Sequence, residues 1–221
     1  MGRYFPLVLK LENQLCLVVG GSAVAERKTL SLLKSGAKVK LVSKEVTPRL
    51  HRLSKEGLIS YRQGEYQPAD LAGVFLVIGA TGCRATNQKL AEDCRARNLL
   101  VSIVDIPEDG NFFMPAVLTR GSLQIAVSTS GKSPLLARKI RQELGKKYGP
   151  AYGELADLLG AMRSSTKQEI KDQRARHAFF ARLLDREVMR LMQKGFWKEA
   201  KERIEKNVSA YCWNQSPDST R

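Results

Sequence analysis

Three stretches of this chain combine residue types and spacings that could do chemistry. The first is Gly20-x-Ser22-x-x-Ala25, set between an apolar run at 15–19 and a helix-forming run with Glu26, Arg27 and Lys28. Glycine at the first position permits a tight turn. A small second residue lets backbone approach a pyrophosphate, and a small third lets helix and strand pack closely. The helix start then offers unpaired N–H groups and the positive end of its dipole to an anion. On this reading Gly20, Gly21, Ser22, Ala23 and Val24 form a dinucleotide cradle. Ser22 adds a side chain where backbone usually comes closest, although its hydroxyl can donate to a phosphate. The alternative is a plain tight turn between strand and helix.

The second stretch is Val104-Asp105, where a carboxylate ends an apolar run. A fixed carboxylate can accept a proton during catalysis, and it can equally cap the turn before Pro107. Glu108 and Asp109 share their loop with Gly110 and read as solvating groups. The third stretch is Thr129-Ser130-Gly131-Lys132-Ser133, followed by Pro134. Ser133 and Pro134 read as helix cap and first helical residue. The hydroxyls and N–H groups before them suit carboxylates, and Arg138 and Arg141, three apart, share a face of that helix. A phosphate-binding P-loop is not indicated, because Ala126 stands where it needs glycine and proline follows at once. A solvated basic helix face remains the alternative. His51 and His177 lack partners at ligand spacing, so no metal site is expected.

The elements that must position these groups alternate. Apolar runs at 15–19, 39–42, 58–61, 74–78 and 99–104 read as strands. Helical stretches begin near Ser22, with Gly36 as a stop, and span about 86–97. This alternation implies βαβ units and a parallel sheet covered on both faces. Ligands of such sheets sit beyond the carboxyl ends of the strands, and Gly20, Ser43, Ala80, Thr81 and Asp105 all fall there. Ser43-Lys44 is neither the acidic residue that suits a ribose hydroxyl nor a clear 2′-phosphate site. Further on, 123–128 alternates as a half-buried strand, 134–147 is helical, and helical patterning continues over 152–208. The expected class is α/β: a Rossmann-like parallel sheet at 1–115, a small α+β dimerisation segment at 116–150, a helical domain at 151–210 and a frayed tail at 211–221.

Size and charge narrow the classes. A length of 221 residues with 43% hydrophobic side chains supports a sizeable core and argues against global disorder. No run approaches a membrane span, and the start lacks the apolar centre of a signal peptide. Cys16, Cys83, Cys94 and Cys212 show no metal-type spacing, so a reduced, cytoplasmic setting is expected. The formal charge of +15 is uneven. Residues 1–115 hold 16 Lys+Arg against 11 Asp+Glu, and residues 116–221 hold 21 against 11, which points to an anionic partner in the second half. Nucleic acid is not the expected partner, since no zinc-finger, RNP or clear helix-turn-helix signature accompanies the charge.

In order, the chain carries Val18-Val19-Gly20-Gly21-Ser22-Ala23-Val24-Ala25-Glu26-Arg27-Lys28, Ala80-Thr81 with Asn87, Val104-Asp105 with Pro115-Ala116, and residues 128–138. Together these resemble the precorrin-2 dehydrogenase/sirohydrochlorin ferrochelatase family, the siroheme-synthase module. The resemblance covers about residues 4–150 closely and the helical remainder loosely. It implies NAD-dependent oxidation of precorrin-2 to sirohydrochlorin and, in some members, insertion of Fe(II) as a substrate. It also implies Asp105 as the catalytic aspartate, 129–133 and Arg138 as contacts to an anionic tetrapyrrole, and a homodimer paired through about 116–147. It does not extend to the methyltransferase domain that some relatives carry. A non-enzymatic NAD-sensing module is the competing reading, but it leaves Asp105 and 128–138 without a task.

Overall fold

A computed structural model describes residues 4–213. The chain divides into two units, Met1–Met114 and Pro115–Arg221. In the first, β1 (Leu15–Val19), β2 (Lys38–Ser43), β3 (Ile59–Gln63), β4 (Leu76–Gly79) and β5 (Leu100–Ile103) form one parallel sheet in the order β3-β2-β1-β4-β5. Helices α1 (Ala23–Lys34), α2 (Pro48–Lys55) and α3 (Arg84–Ala96) connect strands. Burial on both faces explains the unbroken apolar runs. Cys16, Val18, Leu41 and Ile78 enter one core cluster, while their neighbours Leu17, Val19, Val42 and Val77 enter the other. Strand order reverses between β1 and β4, and this switch point is where doubly wound sheets open a crevice. Register places Val19 opposite both Val42 and Gly79, so Gly20, Ser43 and Ala80 leave the sheet side by side.

The edge beyond β2 is locked by charge. Asp70 is buried, accepts from Arg62 Nε at 2.9 Å and from the Gln67 N–H at 2.9 Å, and pairs with Lys40 Nζ at 2.9 Å. Arg62 Nη2 makes a further close contact to the same carboxylate. Burial pushes the Asp70 pKa up, but these bonds and the Lys40 charge outweigh it and bring the pKa to about 2.

The second unit opens with an antiparallel hairpin, β6 (Ala116–Arg120) and β7 (Leu123–Val127), followed by α4 (Pro134–Lys147). The sequence suggested one strand here, and the structure has two. Four more helices follow: α5 (Ala151–Glu169), α6 (Gln173–Leu183), α7 (Arg186–Lys194) and α8 (Trp197–Trp213). Asp172 and Asp185 cap α6 and α7 by accepting from the Ala175 and Val188 N–H groups, and Gly195 ends α7 at φ +82°. Their core joins Tyr152, Leu155, Phe179, Leu183, Val188, Met192, Ala200 and Ile204. Gly153 lets α5 cross the hairpin turn, since a Cβ there would lie 2.4 Å from the Arg120 carbonyl oxygen. Helix α8 runs through Trp213, so 211–213 are helical rather than frayed, and 214–221 lie outside the described residues.

Candidate functional site

A cleft of about 280 Å³ opens over the carboxyl ends of β1, β2 and β4. Six residues expected from the sequence line it: Gly20, Gly21, Ser22, Ser43, Ala80 and Thr81. Ala23 is exposed in the first turn of α1, and Val24 is half-buried against the core, neither lining the cleft. Ala25 is fully buried, as close helix–strand packing requires. Ser22 is the N-cap residue of α1 in extended conformation, and its side chain makes no capping hydrogen bond. The first-turn N–H groups of α1 therefore stay available beside the cleft.

The two glycines are needed for a reason other than a ligand. Gly20 has φ +122°, and a Cβ on it would lie 2.2 Å from the Ala80 carbonyl oxygen. A Cβ on Gly21 would lie 1.7 Å from the Glu45 carbonyl oxygen. The turn after β1 is thus pressed against the turns after β2 and β4. Ser43 serves that packing, its hydroxyl donating to Glu45 O at 2.7 Å.

The spacing from Thr81 to Asn87 also has a structural cause. Asn87 is buried and accepts from the Thr81 hydroxyl at 2.8 Å, while Thr81 Oγ1 accepts from the Cys83 N–H at 3.0 Å. The loop after β4 is therefore held from beneath. Lys44, which the sequence left undecided, also lines the cleft, as do Glu65, Cys83 and Thr86, which sequence reasoning missed. Hydrogen bonding by Thr86 holds the exposed Cys83 thiol below its usual pKa, whereas burial pushes Cys16 up to about 11 and Cys94 up to about 12.

Asp105 lies just beyond β5, exposed, with no hydrogen bond or ion pair among the described residues. Its neighbours are fixed. The Val104 N–H donates to Gly79 O at 3.0 Å, and the returning segment bonds the free side of β5 through Asn111, whose side chain accepts from the Val101 N–H and donates to Leu99 O, each at 2.8 Å. Asp109 does more than solvate its loop, because Arg95 donates to its carbonyl at 2.9 Å and lies 3.9 Å from its carboxylate. Asp105 is thus a free carboxylate on a pinned backbone, suited to exchanging a proton with a bound molecule.

In the second unit, residues 129–133 form a self-organised loop ahead of α4. The Ser133 N–H donates to Thr129 Oγ1 at 3.0 Å, the Ser130 N–H to Ser128 Oγ at 3.0 Å, and the Leu136 N–H to Ser133 Oγ at 3.3 Å. Ser130 and Gly131 take φ +54° and +79°. The hydroxyl oxygens accept from the loop's own backbone, while their O–H groups can still donate outward. Lys132 and Arg138 are exposed.

Comparison with known proteins gives these features a context. A family described as NAD(P)-binding matches residues 7–116, one described as the sirohaem biosynthesis protein central region matches 120–147, and the sirohaem synthase dimerisation region matches 151–208. The chain belongs to the siroheme synthase family. It is 36% identical to the siroheme synthase of Chromobacterium violaceum over 94% of this chain and 44% of that protein. It is 33% identical to the siroheme synthase of Photorhabdus laumondii over 93% of this chain and 44% of that protein. The chain thus spans less than half the length of these siroheme synthase relatives. Among solved structures, SirC, a precorrin-2 dehydrogenase, matches with a TM-score of 0.73 and 26% identity, covering 92% of this chain and 100% of that one. Within the siroheme synthase family, the dimerisation description falls on α5–α8, whereas the sequence reading placed pairing at about 116–147. Among the described residues, no helix is long and apolar enough to cross a membrane.

Proposed function

We propose that this chain oxidises precorrin-2 to sirohydrochlorin with NAD as the acceptor. The observation that carries the reading is the likeness to SirC, which extends over the whole length of that precorrin-2 dehydrogenase. The site's chemistry fits a dinucleotide, with an uncapped helix start beside a cleft at the sheet's switch point.

NAD supplies a two-electron acceptor for one hydride. Ser22 and the first-turn N–H groups of α1 hold the pyrophosphate in the cradle of Gly20, Gly21 and Ser22. Ser43 marks the adenosine end, and Ala80 with Thr81 bounds the nicotinamide end. Asp105 takes the proton that must leave the macrocycle with the hydride, and its exposure lets it return that proton to water. Thr129, Ser130, Gly131, Lys132, Ser133 and Arg138 receive the acidic side chains of the tetrapyrrole. Fe(II) is the substrate of a second reaction, insertion into sirohydrochlorin. In this reading 1–115 is the NAD domain, 116–150 the pairing segment of a homodimer and 151–210 a helical domain. Exposed Val117, Leu135 and Leu136 support pairing, because they leave apolar side chains of β6 and α4 uncovered. Free Cys16, Cys83 and Cys94 accord with a cytoplasmic setting.

The test is anaerobic incubation of the purified protein with NAD and precorrin-2, following NADH absorbance. One NADH per sirohydrochlorin is expected, and added Fe(II) should convert the product to siroheme. A folded protein that binds NAD yet forms no NADH would overturn the dehydrogenase and favour the sensing module.

A further inference from the structure

Of the residues that line the nucleotide cleft, Lys44 is the one cation and Glu65 the one carboxylate. They are joined to each other, Lys44 Nζ to Glu65 Oε1 at 2.7 Å, although both side chains are largely exposed. The pairing is built by the backbone. Lys44 follows β2 directly, and Glu65 follows β3 after Gly64. The Gly64 N–H donates to Ser43 O at 3.0 Å, the Tyr61 hydroxyl donates to the same carbonyl at 3.0 Å, and Gln63 Nε2 donates to Lys44 O at 3.2 Å. Gly64 takes φ +139°, which turns the chain after β3 back toward the end of β2. Three bonds thus fasten the two strand ends and bring the carboxylate to the ammonium.

In doubly wound sheets the residue at the end of β2 reads the adenosine ribose. An acidic side chain there accepts from its hydroxyls, and a basic one accommodates a 2′-phosphate. Here β2 ends in Ser43 and Lys44, which supplies no carboxylate and does supply a cation. Left alone, that end would suit the phosphorylated dinucleotide. Glu65 reverses this by arriving from the next strand. We propose that Glu65 sets the preference for NAD over NADP: its carboxylate accepts from the ribose hydroxyls and occupies the ammonium that a 2′-phosphate would need. This rests on the dinucleotide reading of the cleft. In this reading the discriminating carboxylate comes from the segment after β3 rather than from the end of β2, and it pairs there with Lys44.

The experiment is direct titration of the intact protein with NADH and NADPH, which requires no turnover. Wild type should bind NADH at least about tenfold more tightly, the scale of one charge–charge interaction at a solvated cleft mouth. In Glu65→Gln, Lys44 is released, so the affinity ratio should move toward NADPH by about tenfold or more, and this gain should shrink as salt is raised. Lys44→Gln should keep the preference for NADH, and the double variant should lose the NADPH gain. Both positions are exposed, and circular dichroism verifies that the variants fold. An unchanged ratio in Glu65→Gln, or equal binding of both dinucleotides by wild type, would overturn the assignment. If folded wild type binds neither dinucleotide, the cofactor reading itself fails and takes this inference with it.

Discussion

Substitutions at Gly20 and Ser22 separate what the turn after β1 does for folding from what it does for binding. Gly20→Ala must place a Cβ 2.2 Å from the Ala80 carbonyl oxygen at φ +122°. The backbone conformation costs about 1–3 kcal/mol and the overpacking about 1–3 kcal/mol more, together a large part of the stability of an ordinary domain. Gly20→Ala should therefore lose folded protein, and Gly20→Asp would report a damaged fold before it reported a blocked pyrophosphate. Ser22→Asp isolates the ligand. Ser22 is exposed and already in N-cap conformation. Aspartate is favoured there by capping and by the helix dipole, so stability should hold or rise. A carboxylate about 5–6 Å from the pyrophosphate, at an effective dielectric of about 20–40, costs roughly 1.5–3 kcal/mol of binding, about ten- to hundredfold in affinity. Thermal unfolding and NADH titration on the same samples give both readouts. Unchanged NADH affinity in a folded Ser22→Asp protein would refute the cradle.

Asp70, whose folded pKa of about 2 lies below the ordinary carboxylate value, contributes stability that is full above about pH 4–5 and is lost as pH falls toward 2. That shift corresponds to about 2.5 kcal/mol, so Asp70→Asn should lower stability by at least about 2 kcal/mol at pH 7 and flatten the acid limb. Hydrogen exchange of the β3 amides at pH 7 and pH 3 checks this, and equal protection in variant and wild type would contradict it. For assembly, wild type should sediment as a dimer at micromolar concentration, and Leu135→Glu with Leu136→Glu should yield monomers. A dimer that survives both changes would move the interface to α5–α8.

The sheet was legible because its strands are buried on both faces, so their apolar runs are unbroken and each is punctuated by a turn. Helix α2 was not, since it is short and only Leu50, with half-buried Leu53 beside it, faces the core. The first hairpin strand escaped because β6 carries one buried side chain, Leu118, and alternates weakly. Breaks between α5 and α8 were written in Asp172, Asp185 and Gly195, local capping signals that a continuous helical pattern overshadowed. In the site, the glycines were visible, but the reason for Gly20 was not, because its obstacle is a carbonyl sixty residues further along. Glu65 was invisible for the same cause: its role exists only once β2 and β3 lie side by side.

In the proposed reaction Asp105 removes the proton while the dinucleotide in the cleft accepts the hydride. Single-turnover oxidation of precorrin-2 by Asp105→Asn, with NADH binding measured on the same preparation, tests it most directly. Asparagine keeps the shape of an exposed side chain that makes no hydrogen bond or ion pair among the described residues, so fold and dinucleotide affinity should be unchanged. The rate of NADH formation should fall by roughly 10²–10⁴-fold. A variant that binds the dinucleotide and oxidises precorrin-2 at the wild-type rate would show that the proton leaves by another route.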